Sequence, residues 1–305
     1  MPNSFFDFAK KILESKNNYF DQDIIIERII FNPDDINKKL SECNLTFDEK
    51  DIFIHNNDMD NPGIPTQSLV NFANRSFQTG RIIPSATQEE VLFCVRPELY
   101  AAMFICQTVY ENEIIIISNV FKLMDNSGYL NSFKFENLKN NIFSIDNNDL
   151  NKNDNENILC LDATFKDHYL YKSVLQDFSK FFSASEFCAK KHKNPGISAG
   201  SWGCGAFYCD KAHKFLQQIC CAKCNGVKLS YSTFGDNNYK NKLEQLFKAV
   251  IKFTPKVCDL YKLIIEFKGT RDKEFYKYLK EKLGDEFYMD DDGIDDIIYT
   301  MLMGS

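Results

Sequence analysis

Hydrophobic residues recur along the chain with two spacings, and together these spacings predict an α/β fold. Several segments carry apolar residues at every third or fourth position, as the buried face of a helix does. Such helices are predicted over residues 4–15, 32–40, 97–110, 170–182, 212–224, 243–250, 257–264 and 273–283. Continuous apolar runs at 113–118, 158–165 and 227–234 predict strands that are buried on both faces. Because strands alternate with helices, we expect a three-layer α/β/α domain.

Changes in polarity divide the chain into three parts. Residues 1–65 are predicted to be a helical accessory region, which ends in a polar loop rich in Asn, Asp, Gly and Pro. Residues 66–288 form the main domain. Within it, residues 131–157 are rich in Asn, Asp and Lys and are predicted to be a surface insertion. Residues 289–305 form an acidic tail.

Composition narrows the class of protein. The 305 residues are 44 % hydrophobic and 26 % charged, and no apolar run approaches the roughly 20 residues of a membrane span. Eleven cysteines lie without regular spacing, which favours reduced thiols in the cytoplasm, the nucleus or both. A net charge of −7 argues against direct DNA binding. An anionic ligand would therefore be held by local backbone donors.

Two adjacent carboxylates in the stretch Thr87-Gln88-Glu89-Glu90 precede an apolar segment. One interpretation is a helix capping box, with Thr87 at the N-cap and Glu90 three residues later. The other is acid chemistry on a sugar bond, which needs one carboxyl that its surroundings keep protonated. The motif alone leaves both interpretations open.

A second polar stretch, GSWGCGAF at 200–207, combines three glycines with the single tryptophan of the chain. Glycines let the backbone approach a ligand, and N–H groups before a helix suit a phosphate. The alternative is a glycine-rich connection that binds nothing. Trp202 is interpreted as a core residue, and Cys204 as structural and not as a nucleophile. The cysteines at 220, 221 and 224 are interpreted as buried helix residues, so no metal site is predicted.

Three motifs carry a resemblance to a known family. The segments FANRSFQTGRIIPSATQEEVLF, GSWGCGAF and STFGD resemble the catalytic region of poly(ADP-ribose) glycohydrolases, a branch of the macrodomain fold. The family signature is a glycine triplet, a short spacer and Gln-Glu-Glu. Here Gly80 matches the last glycine, residues 81–87 are the spacer, and Gln88-Glu89-Glu90 is intact. The resemblance spans about residues 70–264 and implies a macrodomain-like fold with a mixed central sheet.

The resemblance also implies roles for individual residues. Glu90 would be the general acid/base that protonates the leaving 2′-oxygen and then activates water. Glu89 would hold the ribose hydroxyls, Asn74 would hold the same sugar, and Tyr129 would stack on adenine. The remaining implied substrate contacts are Gly80, Gln88, Gly200, Ser201, Gly203, Cys204, Gly205, Ala206, Phe207 and Phe234, of which those at 200–207 would carry the diphosphate and Phe234 would pack over the terminal ribose. No metal or cofactor is implied.

The chain departs from the family at the glycine triplet, where Gln78 and Thr79 replace the first two glycines. A positive φ there would cost about 1 kcal/mol or more per residue. Asn71 also replaces a residue that is usually acidic in the family. The leading hypothesis is a monomeric enzyme that releases ADP-ribose from the ends of poly(ADP-ribose), either free or on ADP-ribosylated proteins. The alternatives are a binding module that has lost catalysis and a scaffold with a closed pocket.

Overall fold

The computed structural model describes residues 23–77, 87–138, 156–284 and residue 287. These residues form two compact units. Unit 1 contains the described residues of 23–28, 71–110 and 115–161, and unit 2 contains those of 29–70, 111–114 and 162–287. The predicted helix at 4–15, the altered glycine triplet at 78–80 and the acidic tail at 289–305 lie outside the described residues.

Nine strands and eight helices can be described. The strands are β1 (Ile25–Ile30), β2 (Ile52–His55), β3 (Ser68–Ala73), β4 (Glu113–Val120), β5 (Met124–Ser127), β6 (Lys134–Leu138), β7 (Glu156–Asp162), β8 (Gly196–Ala199) and β9 (Lys228–Ser232). The helices are α1 (Pro33–Ser41), α2 (Gln88–Val95), α3 (Tyr100–Ile105), α4 (Tyr171–Lys191), α5 (Lys211–Cys224), α6 (Asn237–Phe253), α7 (Val257–Glu266) and α8 (Asp272–Leu283). Short 3-10 helices cover Glu49–Asp51 and Pro97–Leu99.

The main sheet has the strand order β1-β4-β7-β3-β8-β9-β2. Strands β3, β8, β9 and β2 pair in parallel, whereas β4 and β7 are antiparallel. The predicted α/β class and the mixed sheet are therefore confirmed. None of the helices in the described part of the chain has the length and apolar composition that a membrane span requires.

Unit 1 is organised around the apolar pair β4 and β7. The isoleucines of β4 are fully buried, and Ile115 lies opposite Cys160 in the register. Strands β5 and β6 form a separate antiparallel hairpin, and α2 packs against β5. Continuous burial explains why the sequence predicted β4 and β7 correctly: neither face meets water, so each strand reads as an unbroken apolar run.

Unit 2 contains the parallel strands β2, β8 and β9, the first half of β3 and most of the helices. Ile197 of β8 lies beside Leu229 of β9, which in turn lies beside Ile52 of β2. Helix α4 packs against α5, α5 packs against α7, and α1 packs against both α4 and α7. The predicted end of α5 at residue 224 is confirmed, because Asn225-Gly226 follows the helix with Gly226 at φ 67°. Its first turn begins at Lys211 and is capped by Asp210, which the sequence analysis did not identify.

Several sequence predictions need correction. No strand is predicted near residue 196, yet 196–199 form β8, a strand of four residues that lies between β3 and β9 in the sheet. No strand is predicted between residues 119 and 129, and residues 131–157 are predicted to be a surface insertion, yet these ranges contain β5, β6 and the start of β7. These strands have little apolar alternation, so the hydrophobic pattern does not reveal them.

Helix α3 ends at Ile105, earlier than the predicted residue 110. The next residues leave the helix because Val109 exchanges two hydrogen bonds with Arg75: the N–H of Val109 donates to the carbonyl of Arg75 at 2.8 Å, and Nε of Arg75 donates to the carbonyl of Val109 at 3.0 Å. A contact between segments distant in sequence thus overrides the local periodicity.

The predicted helical character of residues 1–65 is not confirmed. The described part, which starts at Asp23, contains β1 and β2 besides α1, and β2 pairs with β9. The boundary at residues 65 and 66 stays a prediction. All eleven cysteines are free thiols, as the sequence predicted.

Candidate functional site

The first turn of α2 is capped in the predicted way. Thr87 is the N-cap residue, and the N–H of Thr87 donates to Oε2 of Glu90 at 3.1 Å. The hydroxyl of Thr87 also donates to the same carboxylate oxygen. The capping box is therefore confirmed. It also fixes the orientation of the Glu90 side chain, so capping and catalysis need not exclude each other.

The other two side chains of the motif bind the end of β3. Oε1 of Gln88 accepts a hydrogen bond from the N–H of Phe72 at 2.8 Å. Glu89 uses both oxygens: Oε1 accepts from Nδ2 of Asn71 at 3.2 Å, and Oε2 accepts from the N–H of Asn74 at 3.1 Å. Polar side chains from one helical turn thus hold α2 against the last residues of β3.

Burial perturbs both carboxyls. It raises the pKa of Glu89, which is 4 % exposed, to about 8, although the hydrogen bonds from Asn74 and Asn71 oppose this and the neighbouring Glu90 adds to it. Burial also raises the pKa of Glu90, against the hydrogen bonds from backbone N–H groups. A carboxyl that its surroundings keep protonated is what the acid-chemistry interpretation of this motif requires.

Exposure distinguishes the two carboxyls. Glu90 is only half-buried. Its Oε1 accepts no hydrogen bond from any residue in the described ranges, while its Oε2 is held by Thr87. Glu89 is almost completely enclosed, and both of its oxygens are occupied. Glu90 is therefore the carboxyl of the pair that an incoming molecule can reach.

Asn74 and Tyr129 lie in the same unit as the two carboxyls. Asn74 is exposed, and its Oδ1 accepts from the N–H of Ser76 at 3.1 Å. The hydroxyl of Tyr129 forms a hydrogen bond with the backbone of Gln88. Burial raises the pKa of Tyr129 to about 12, and this hydrogen bond opposes the shift. Five of the predicted site residues, Asn74, Gln88, Glu89, Glu90 and Tyr129, thus belong to unit 1.

A tight turn presents Tyr129. Gly128 has φ 73°, and a Cβ atom at this position would lie 2.1 Å from the carbonyl oxygen of Ser132. The hydroxyl of Ser132 in turn accepts from the N–H of Tyr129 at 2.9 Å. Glycine is required at 128 because φ is positive and because a Cβ atom would collide with the carbonyl oxygen of Ser132. The Gly-Tyr pair is therefore a structural unit. The predicted contact at Gly80, like Gln78 and Thr79, lies outside the described residues.

In unit 2, the predicted glycine loop at 200–207 connects β8 to the segment that caps α5. The loop folds through short-range hydrogen bonds: the N–H groups of Trp202, Cys204, Tyr208 and Cys209 donate to the carbonyls of Gly200, Ser201, Gly205 and Gly203. The carbonyl of Gly200 also accepts from Nε2 of Gln218 at 3.0 Å. The N–H groups of Gly203, Gly205, Ala206 and Phe207 find no acceptor among the described residues. Such a set of backbone donors is suited to an anion.

Two residues of this loop are fixed by packing. Trp202 is 1 % exposed, so its interpretation as a core residue is confirmed. Gly203 has φ 78°, and a Cβ atom there would lie 2.6 Å from Cβ of Ala163. Sγ of Cys204 donates to the carbonyl of Trp202 at 3.5 Å, and burial raises the pKa of this thiol well above its usual range. A protonated thiol of this kind is a poor nucleophile.

Sequence reasoning did not assign the loop between β2 and β3, yet this loop lines a cavity of about 980 Å³ together with Phe234 and Gly235. Phe234 is 52 % exposed and has φ 52°. The loop residues on the cavity wall are Asn56, Asn57, Asp58, Asn61, Pro62, Gly63, Ile64 and Pro65. These residues could have been identified from their position in the fold, because ligands of parallel sheets bind at loops that follow the carboxyl ends of strands.

Serine hydroxyls from the neighbouring strands hold this loop. Ser198 of β8 donates to the carbonyl of Met59 at 2.7 Å, and Ser230 of β9 donates to the carbonyl of Pro62 at 2.6 Å. Ser232 donates to the carbonyl of Asn57 at 2.5 Å. Serines within buried strands thus have a definite role, which is to satisfy backbone carbonyls of the cavity wall.

The sequence predicts that the cysteines on α5 are buried helix residues and not metal ligands. Cys220 and Cys221 are fully buried, and burial raises the pKa of both thiols well above the usual range. Across the described ranges, no group of three or more His, Cys, Asp and Glu side chains is arranged to hold a metal ion.

Comparison with known proteins identifies the family. Residues 38–241 match the family model described as "Poly (ADP-ribose) glycohydrolase (PARG), Macro domain fold". The chain is 27 % identical over 193 residues to poly(ADP-ribose) glycohydrolase 2 of Caenorhabditis elegans, which covers 58 % of this chain and 39 % of that protein. It is 26 % identical over 251 residues to probable poly(ADP-ribose) glycohydrolase 2 of Arabidopsis thaliana, which covers 68 % and 47 %. The chain spans less than half the length of these relatives.

A solved structure of poly(ADP-ribose) glycohydrolase from Deinococcus radiodurans in complex with ADP-ribose is also similar. It matches with a TM-score of 0.45 and 13 % identity, over 70 % of this chain and 88 % of that one.

Proposed function

Because the chain belongs to the poly(ADP-ribose) glycohydrolase family, which has the macrodomain fold, we propose that it hydrolyses ribose–ribose O-glycosidic bonds at the ends of poly(ADP-ribose) and releases ADP-ribose. The substrate is poly(ADP-ribose), free or attached to proteins. The observation that carries the proposal is the state of Glu90, a half-buried carboxyl with a raised pKa, one oxygen fixed by Thr87 and the other without a hydrogen-bond partner in the described residues.

The reaction needs an acid before anything else. Cleavage of the bond between an anomeric carbon and the 2′-oxygen of the next ribose passes through an oxocarbenium-like state. The Glu90 carboxyl gives its proton to the leaving 2′-oxygen as this bond breaks. The resulting carboxylate then takes a proton from the water that attacks the anomeric carbon, which returns Glu90 to its starting state.

Glu89 and Asn74 have supporting roles in this proposal. The Glu89 side chain accepts from the N–H of Asn74, so a ribose held by Asn74 is positioned relative to α2. The exposed amide of Asn74 is available to a sugar hydroxyl. Direct contact between Glu89 and the ribose hydroxyls, which the family resemblance implies, stays a prediction.

The remaining parts of ADP-ribose are assigned by chemistry. Four N–H groups without protein acceptors support diphosphate binding at the 200–207 loop. A cavity of about 980 Å³ beside the half-exposed ring of Phe234 is of the size that small-molecule sites have. Tyr129 is assigned to adenine stacking, for which its hydroxyl is anchored near Gln88.

The test is release of ADP-ribose from purified poly(ADP-ribose) by the wild type, Glu90→Gln and Glu98→Gln. Glu98 is the matched control, because it is a part-buried carboxyl of the same unit whose pKa is also raised by burial. We expect Glu90→Gln to lower kcat by about 10²- to 10⁴-fold, the usual contribution of a general acid. Glu98→Gln should keep the wild-type rate.

Calorimetry with ADP-ribose separates the alternatives. Binding without release by the wild type would support the binding module, in which catalysis is lost. Release that persists in Glu90→Gln would remove Glu90 from the mechanism. Neither release nor binding would contradict the proposed function and favour a scaffold with a closed pocket.

A further inference from the structure

A buried ion pair lies behind the 200–207 loop. Lys214 of α5 is completely buried and forms an ion pair with Oδ2 of Asp177 on α4, which is 1 % exposed. Oδ1 of Asp177 accepts two further hydrogen bonds from Thr164, one from its N–H and one from its hydroxyl, both at 2.9 Å. Both oxygens of Asp177 are thus engaged, which a buried carboxylate requires.

Lys214 also touches two residues of the loop. Its Nζ atom lies 4.3 Å from the centroid of the Trp202 ring, within the range of a cation–π contact. Its Cε atom lies 3.5 Å from the place where a Cβ atom of residue 203 would be. The same side chain therefore lies against the indole of Trp202 and against the backbone at Gly203.

Lys214 keeps its charge in this position. Burial alone would lower its pKa, but the Asp177 carboxylate outweighs burial and the pKa is raised. Replacement of a buried ion pair by apolar residues is often neutral or stabilising, so stability alone gives a weak reason for placing two charges here. The contacts with Trp202 and Gly203 suggest another reason.

We propose that the buried Asp177–Lys214 pair is a positioning device for the 200–207 loop. Through Trp202 and Gly203 it holds the backbone conformation that leaves four N–H groups for the diphosphate of ADP-ribose. Lys214 and Asp177 are thus positioning residues and contact no substrate. The inference rests on the proposed function, because it takes diphosphate binding as the task of the loop.

The chain offers a direct probe of the contact. Trp202 is the only tryptophan of the 305 residues, so intrinsic tryptophan fluorescence reports on this position alone. Acrylamide quenching of the folded protein measures access to the indole without any ligand. Calorimetric titration with ADP-ribose, together with kcat and KM on poly(ADP-ribose), measures the consequence for the site.

Three variants test the proposal. Lys214→Met removes the cation, and the double variant Asp177→Asn with Lys214→Met removes both charges, so no unpaired buried carboxylate remains. Ile219→Ala is the control for stability. Ile219 is completely buried on the same helix, five residues beyond Lys214 or about 7.5 Å along the axis.

We expect Lys214→Met and the double variant to increase acrylamide quenching of Trp202 and to weaken ADP-ribose binding by at least about tenfold, since small misplacements of binding groups are costly. The loss should appear in KM more than in kcat. Ile219→Ala should lower the unfolding midpoint while quenching and affinity stay at the wild-type level. If Lys214→Met does not fold, the quenching and the affinity of the double variant test the proposal.

Wild-type quenching and affinity in the double variant would overturn the inference. So would an equal loss of affinity in Ile219→Ala, because the effect would then follow from stability. A wild type that does not bind ADP-ribose would contradict the proposed function instead, and the quenching measurement would still decide whether the ion pair fixes the loop.

Discussion

The two regions to which the proposed function assigns roles are built in opposite ways. In unit 1, the groups proposed to react are side chains and the backbone holds them: the N–H groups of Thr87 and Asn74 donate to carboxyl oxygens of Glu90 and Glu89, respectively. In unit 2, the available groups are backbone N–H donors and buried side chains hold them, with Lys214 against Trp202 and Gly203. Proton transfer needs a carboxyl, whereas a diphosphate needs an array of donors.

This difference decides how each region responds to substitution. A substitution of a carboxyl in unit 1 changes proton binding, so its effect depends on pH. A substitution at a loop glycine in unit 2 changes backbone geometry, so its effect is steric and does not depend on pH.

The largest expected effect concerns Glu89. The folded state keeps the Glu89 proton up to about pH 8, whereas an ordinary glutamate releases it near 4.5. Between these values the folded state binds more protons than the unfolded state, so the free energy of unfolding should fall as pH rises, by up to about 1.4 kcal/mol per pH unit. Glu89→Gln has no proton to lose and should show a flatter curve.

Urea unfolding of the wild type and Glu89→Gln across this pH range checks the prediction. The informative quantity is the difference between the two curves, because titrating groups that do not interact with Glu89 contribute equally to both. Parallel curves would show that Glu89 is not a protonated buried carboxyl.

The next effect concerns Gly203. A methyl group at this position would lie 2.6 Å from Cβ of Ala163, and φ is 78°. Gly203→Ala should therefore lower the free energy of unfolding by roughly 1–3 kcal/mol at any pH. Gly205→Ala is the matched control, since nothing lies within 4 Å of its added Cβ atom. Equal stability of the two variants in urea would contradict the geometry of the loop.

The smallest effect concerns the cap of α2. Thr87→Ala removes the hydroxyl that donates to Glu90, and loss of an N-cap side chain costs about 0.5–2 kcal/mol. Thr87→Ser keeps the hydroxyl and should retain most of the stability. If thermal unfolding of Thr87→Ala matches that of the wild type, the hydroxyl of Thr87 does not hold Glu90.

The same contrast explains what the sequence could predict. In unit 1, the capping box lies within residues 87–90, whereas the contacts of Gln88 and Glu89 with residues 71–74 were not predicted. A motif of this kind can be recognised from residue spacing. The roles of the two carboxyls depend on burial, which spacing does not report.

In unit 2, the support of the loop comes from Asp177 and Lys214, which lie on two different helices. A lysine or aspartate on a helix is interpreted as solvent-exposed unless its partner is known, so the ion pair could not be predicted. Strand β8 could not be predicted for a related reason. Its four residues are too few to show a hydrophobic pattern, and it is held as a strand by pairing with β3 and β9, which are distant in sequence.

The central claim is that Glu90 supplies the chemistry and the 200–207 loop supplies binding. Its most direct test measures single-turnover release of ADP-ribose and ADP-ribose affinity side by side in Glu90→Gln and Gly203→Ala. Glu90→Gln should lose at least about 10²-fold in rate and keep its affinity within a few-fold. Gly203→Ala should lose affinity by about tenfold and keep most of its rate at saturating substrate. If both variants lose rate and affinity to the same extent, the division between the two regions is wrong.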